Sequence, residues 1–365
     1  MEVSYPKQGL NTHSVSVTIK ESVICQKILK YGGCIMKKTI PEKWFSQLRL
    51  PVITAPMFLV SGTELVKNCC LNGVIGSFPA PNARPIEVLD EWMGKLNEEL
   101  AEAREKEPNR KIAPWAMNMV VHSSYSRLQV ELALIRKHKP QLVITSLGSP
   151  KHVVDIVHEY GGLVFSDVSD VKFAKKAAEA GVDGLILVAS GAGGHAGQIN
   201  GFAFVEMVRA FWDGIIILAG SISTGKGILA AQAAGADLSY MGTRFIVATE
   251  SMADDEYRNM LVEATQEDII LTDAFSGVMC NMLKPSIVKA GLDPNVLVGK
   301  DKVNFDSMQR ETKSEAWRDI WSAGHGVGAI NQIETAAEII DRLETEYKEA
   351  LQTINSLSAN YLKLV

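Results

Sequence analysis

Short runs of consecutive apolar residues recur along the chain at Val52–Met57, Val74–Phe78, Ile112–Asn118, Leu142–Leu147, Leu163–Ser166, Gly184–Ala189, Ile215–Ala219 and Leu238–Met241. Most are continuous rather than alternating, as expected of strands covered on both faces in a parallel sheet. Between them, Gly62–Asn72, Ile86–Lys106, Ser126–His138, Lys151–Tyr160, Val171–Ala180, Phe202–Phe211 and Gly225–Ala234 carry apolar residues at helical spacing. Ser123 and Ser169 stand where N-caps are expected, and Gly161, Gly181 and Gly235 where helices should end. Eight strand–helix alternations predict an α/β fold closed into a (β/α)8 TIM barrel. A doubly wound open sheet is the alternative.

After Met241 the pattern breaks. Residues 249–330 mix an acidic helical stretch, Ser251–Gln266, with short apolar pieces and turns. That is too long for an ordinary connection and predicts an inserted, mostly helical cap domain after strand eight. Residues 332–356 then form an amphipathic helix with Ile333, Ala337, Ile340, Leu343 and Tyr347 on one stripe, assigned to the outer ring. The barrel is thus expected to comprise residues 36–248 plus 331–365. Residues 1–35 are polar and without clear periodicity, and are expected to be a disordered N-terminal extension or an upstream start, because Met36-Lys37-Lys38 reads like a bacterial start.

Barrel sites lie at the carboxyl ends of the strands. The sixth run ends in ASGAGGHAG, where Gly193 and Gly194 allow close backbone approach and His195 can move a proton near neutral pH. The seventh and eighth end in AGSISTGKG and MGTRF; Gly220, Ser221, Gly242 and Thr243 supply unhindered amides and two hydroxyls suited to a phosphate. Two ordinary tight turns would read the same way. Lys226 is expected to face solvent. Asn118 could bond the edge of a flat heterocycle or simply tie a loop, and Met57 could wall a ring or be plain core. His122, His138, His152 and His158 are expected on the surface. His325 sits among small residues where a structural turn explains it as well as a site does.

Charge and composition remove several function classes. The net charge is −5, with 47% hydrophobic and 22% charged residues, which gives no reason to expect nucleic acid or an acidic membrane as partner. No run of apolar residues is long enough to span a bilayer, and the N-terminus lacks a signal-peptide core. The five cysteines form no CxxC pair, so neither a disulfide framework nor a zinc site is indicated and a reducing cytoplasm is the simplest location. No HExxH or His-x-His occurs, so no metal is expected. Asp167 is the one carboxylate at a strand end, which does not support hydrolysis by paired carboxylates.

Together, PVITAPM at the first strand, the asparagine after the third, AGGHAG after the sixth, AGSIS after the seventh and YMGTRF after the eighth resemble the nitronate monooxygenase family over roughly residues 48–335. The resemblance implies an FMN-dependent barrel with a cap, and His195 matching the family's active-site histidine. It places Met57, Asn118, Gly193, Gly220, Ser221, Tyr240, Met241, Gly242 and Thr243 at the FMN contacts, with Ala55 and Gly194 from the same motifs beside them. Val188 and Gly191 stand where the family pattern has glutamine and glutamate, and Ser221 where it has a second glycine. The implied activity is oxidation of alkyl nitronates by O2. The same scaffold carries a second reading, an NAD(P)H-driven reductase of quinones or unsaturated acyl thioesters, and a non-redox barrel binding a phosphorylated metabolite is a third. The expected partners are a small-molecule substrate and O2, and the implied cofactor is FMN with NAD(P)H as a candidate electron donor. Self-association into a homo-oligomer is left open.

Overall fold

The computed structural model describes residues 39–299 and 318–362. The expectations for residues 1–35, and for the part of the insert between 300 and 317, lie outside the described residues. Eight parallel strands occupy Val52–Thr54, Gly76–Pro79, Trp115–Val120, Leu142–Ser146, Leu163–Val168, Gly184–Val188, Ile215–Ala219 and Leu238–Met241. They pair in sequence, and the first also pairs with the last through Val52↔Ser239, Ile53↔Tyr240 and Thr54↔Met241. A bridge between Ile53 and Ile75 closes the ring, with Ile75 N donating to Val52 O at 3.1 Å and Thr54 N to Ile75 O at 2.8 Å. The (β/α)8 barrel expected from the eight apolar runs is the fold observed, with the third strand starting late because Pro114 lacks an amide for the ladder.

The helices Thr63–Leu71, Ile86–Lys106, Leu128–His138, Lys151–His158, Val171–Glu179, Gly201–Arg209 and Gly225–Ala233 form the outer layer. Gly161, Gly181 and Gly235 do terminate helices, with φ of 79°, 91° and 101°. The cap of Val171–Glu179 is Asp170 rather than Ser169: its carboxylate accepts from Phe173 N at 2.8 Å. Ser123 caps nothing, because the next helix starts only at Leu128.

Strand side chains alternate between two cores. Ile53, Ala116, Ile144, Phe165, Ile186 and Ile217 point into the barrel, while Met117, Val143, Val164, Leu185 and Ile216 pack outward against helices. The barrel floor is closed by a helix absent from the expected set, Glu42–Gln47, whose buried Trp44 meets Phe165 edge-on at 6.3 Å between ring centroids. Room for Phe165 comes from Gly184, where a Cβ would lie 2.6 Å from the ring.

Beyond the eighth strand come the helix Asp255–Glu263, capped by Asp254, the antiparallel strands Ile269–Thr272 and Cys280–Leu283, and the short helix Lys284–Lys289. The insert is therefore helical only in part. Its strand Cys280–Leu283 also pairs antiparallel with Gly194–His195, in the register Cys280↔His195 and Asn281↔Gly194. The sheet escapes a periodicity reading because its third strand is two residues long and belongs to a barrel loop. The chain returns as the helix Ala336–Leu362, which packs on Gly225–Ala233 and Thr63–Leu71 in the outer layer. Among the described residues, no helix is long and apolar enough to cross a membrane.

Candidate active site

A cavity of about 360 Å³ opens at the carboxyl ends of the strands, under the insert. Its wall includes Ala55, Met57, Asn118, Gly193, Gly194, His195, Gly220, Ser221, Tyr240, Gly242 and Thr243. Met241 is the exception among the residues expected at the cofactor. Its side chain is fully buried in the outer core with Val52, Phe245 and Leu343. A strand alternates sides, so Tyr240 and Gly242 facing the cavity place Met241 behind it. What Met241 offers toward the site is its carbonyl, which accepts from Ala55 N at 2.9 Å.

The backbone is strained where the cavity needs it. Among the described residues four non-glycine residues adopt positive φ, and three of them, Leu59 (61°), Leu147 (60°) and Ser221 (58°), lie in the loops after strands one, four and seven. Such conformations cost free energy and cluster where function fixes the chain. Gly220, at φ 114°, precedes Ser221, so the seventh strand turns sharply at this corner. At the eighth, Gly242 packs beside Met57, and Thr243 Oγ1 accepts from Gly324 N at 2.9 Å.

The glycines around His195 serve backbone-to-backbone packing as much as ligand approach. A Cβ on Gly193 would lie 2.8 Å from Gly324 N, and one on Gly324 would lie 2.5 Å from Gly191 O. Asn281 Nδ2 donates to Ala192 O at 2.7 Å, and Ala196 N to Met279 O at 3.0 Å. The histidine loop is thus held between the barrel and the insert. Nε2 of His195 lies 3.3 Å from Ser276 Oγ, and Ser276 donates its own proton to Val278 O at 3.0 Å. With its proton directed to Val278 O, Ser276 Oγ can accept a hydrogen bond from the imidazole at Nε2. Burial pulls the His195 pKa down to about 4, so the imidazole is neutral at neutral pH.

Asn118 Nδ2 donates to Ser146 Oγ at 3.0 Å, tying strands three and four, and the residue also lines the cavity. Asp167 lies inside the fifth strand, two residues above Phe165 on the same inward face, and its carboxyl lines the floor of the cavity. Lys226 is exposed and His152 lies on the surface, whereas His138 is mostly buried against Asp90. His325 sits in the turn His325–Ala329 and does not line the cavity, although Gly324 and Gly326 on either side do. The insert adds Tyr257, Val278 and Ser322 to the wall and Ser276 behind it, none of which a local motif marks. Among the described residues, no group of three His, Cys, Asp or Glu side chains is gathered as a metal site.

The residues present fit a flavin. The phosphate would sit at the small-residue corners Gly220-Ser221 and Gly242-Thr243, and a ring between Met57 and Asn118. On the floor two buried polar atoms, Asp167 Oδ1 and the Tyr240 hydroxyl, have no hydrogen-bond partner, as expected where a polar ligand completes the site.

Comparison with known proteins agrees with this geometry. The family model described as nitronate monooxygenase matches residues 42–346. A nitronate monooxygenase of Neurospora crassa is 25% identical over 87% of this chain and 94% of its own length. Among solved structures, FabK from Thermotoga maritima superposes with a TM-score of 0.68 at 21% identity, covering 86% of this chain and 97% of that one. A nitroalkane oxidase from Streptomyces ansochromogenes gives 0.67 at 21% identity, covering 84% and 98%.

Proposed function

The chain belongs to the nitronate monooxygenase family of flavin-dependent oxidoreductases, and from that premise we propose that it binds FMN and oxidises alkyl nitronates with O2. The observation that carries this reading is one cavity in which a neutral, loop-anchored imidazole and the two small-residue corners of strands seven and eight are brought together. Bound flavin supplies the two-electron chemistry that no side chain here can supply.

The protein's part is positioning and proton handling. The corners at Gly220-Ser221 and Gly242-Thr243 anchor an anionic tail by backbone and hydroxyl groups, since among the described residues no lysine or arginine lines the cavity. A substrate held under the insert lies against His195. The neutral imidazole accepts the α-proton of a neutral nitroalkane at its unprotonated nitrogen, or hydrogen-bonds a nitronate oxygen through its ring N–H. Apolar walls at Phe58, Val60, Val120 and Val278 suit an alkyl chain and keep water from the reacting carbon.

A reductase driven by NAD(P)H is the second reading. It is favoured by Val188 and Gly191, which leave the wall beside His195 without the amide and carboxylate of the family pattern. Anaerobic bleaching of the FMN-loaded protein separates the two. Rapid bleaching by an alkyl nitronate and not by NAD(P)H is the expected result; the reverse pattern rejects the oxygenase in favour of the reductase.

A further inference from the structure

The inward-facing residues at the floor of the cavity form a ring: Ala55, Asn118, Ser146, Asp167, Val188 and Tyr240. Each lies two positions above, and on the same side as, an inward core residue of its strand; Asp167 follows Phe165 and Tyr240 follows Leu238. Within this ring Asp167 is the only carboxyl group. Among the described residues, the other titratable groups lining the cavity are Tyr240, His195 and Tyr257, and none is a cation at neutral pH. A buried carboxylate needs a cation or several donors, and Asp167 has neither: its Oδ1 is buried without a partner, and so is the hydroxyl of Tyr240.

We propose that Asp167 is a second functional group of this site: a buried carboxyl that, in its protonated form, donates a hydrogen bond to an acceptor edge of the bound flavin ring. The proposal rests on the flavin reading above, and it concerns a residue for which that reading has no use. A flavin gains negative charge when it is reduced, so a proton donor on the cavity floor favours the reduced form and a carboxylate there opposes it. Burial alone pushes the Asp167 carboxyl up to about 7, so the group changes state within the working range of the protein. Its electrostatic neighbour is Tyr240, whose phenol is held far above its ordinary range by burial first and by Asp167 second, and therefore stays neutral.

The coupling has a definite sign. As pH rises through about 7, Asp167 loses its proton while the bound flavin is oxidised. Reduction raises the affinity of the carboxylate for a proton, so each reduction then takes up an additional proton from solvent. The midpoint potential of bound flavin should fall more steeply with pH above this point than below it.

The test uses the full chain loaded with FMN, and compares the natural protein with Asp167→Asn, which keeps the shape and cannot ionise. FMN affinity is read by fluorescence quenching, and the midpoint potential by dye equilibration from about pH 5.5 to about pH 8.5. Expected are FMN binding by both proteins, a steepening near neutral pH in the natural protein, and no steepening in the variant. Coincident slopes overturn the role of Asp167 and leave the flavin reading standing. Failure of the natural protein to bind FMN overturns both. A second measurement is the infrared band of a protonated carboxyl group that the natural protein shows and Asp167→Asn lacks, which sets it apart from Glu131, also pushed up to about 7 by burial. A band that shifts to lower frequency when FMN is added supports the hydrogen bond, and a band that FMN leaves unmoved overturns it.

Discussion

The two ends of the barrel are built from the same strands by opposite rules. At the amino end, Trp44, Phe165, Ile186 and Ile215 fill the interior completely, and a glycine at 184 makes room for one aromatic ring. At the carboxyl end, two residues further along the same strands, the interior becomes small or polar at Ala55, Asn118, Ser146 and Asp167, and a cavity of about 360 Å³ remains. The lower layer is packed with large apolar side chains, although the Trp44 indole nitrogen there is buried without a partner. The upper one keeps positive-φ turns, the partnerless Asp167 and Tyr240 oxygens beside a cavity, and an imidazole whose ionisation burial suppresses. If the proposed function is right, substitutions at the two ends should separate into effects on folding below and effects on turnover above.

The largest effect expected is on catalysis. His195→Asn should retain flavin and lower turnover by about 10²–10⁴-fold, the usual worth of a positioned acid–base group. Steady-state rates with an alkyl nitronate, alongside the flavin absorbance of the purified variant, measure both halves of this statement. Undiminished turnover would remove His195 from the mechanism. At the other end, Trp44→Ala should lower the unfolding free energy by about 3–5 kcal/mol, because the floor helix loses its one buried residue and leaves a void against Phe165. Its turnover per folded molecule should stay near that of the natural protein. A variant that lost activity while keeping its denaturation midpoint would erase the division between the ends.

Much of this division was legible in the sequence. Eight continuous apolar runs specify buried parallel strands locally, and the glycines at the seventh and eighth corners mark turns without reference to the rest of the chain. What escaped depends on distant partners or on register. Ser276 is 81 positions from the imidazole it faces, and nothing around it distinguishes it from a loop serine. Glu42–Gln47 buries only Trp44, so no amphipathic stripe announces it. The Met241 side chain is readable from the sequence, because alternation along Leu238–Met241 sends it to the outer core and leaves only its backbone toward the cavity. Asp167 was seen as an acid at a strand end, but its isolation from every cation is a property of the assembled ring.

A smaller effect sharpens the contrast through pH. The folded protein holds Asp167 protonated up to about 7, whereas an unfolded chain releases that proton near the ordinary carboxylate value. Between those two points the folded state binds more protons, so Asp167 costs stability progressively as pH rises from about 4 to about 7, on the order of 4 kcal/mol in all. His195 acts in the opposite direction: its pKa falls to about 4 on folding, so stability is lost as pH drops below the ordinary imidazole value. Asp167→Asn should remove the loss that accompanies rising pH between about 4 and about 7, leaving over that range only the opposite slope set by His195. Denaturation midpoints of the two apoproteins across this range test it, and parallel curves would show that Asp167 is ionised in the folded state.

The smallest effect concerns the strained corner. Ser221 holds φ at 58°, where a side chain is disfavoured and glycine is not. Ser221→Gly should relieve this strain and raise the unfolding free energy by about 1 kcal/mol, offset in part by the greater freedom of glycine in the unfolded chain. The preceding Gly220 already turns the chain, and the main-chain bond from Ser221 N to Gly191 O at 3.3 Å does not need the hydroxyl. Flavin affinity should therefore change only by what the hydroxyl contributes to the phosphate, about one neutral hydrogen bond. A stabilised variant with weakened FMN binding would show that strain at this corner is kept for the sake of the hydroxyl. A destabilised variant would show that Ser221 is not strained, and that the carboxyl end of the barrel stores less energy than its backbone implies.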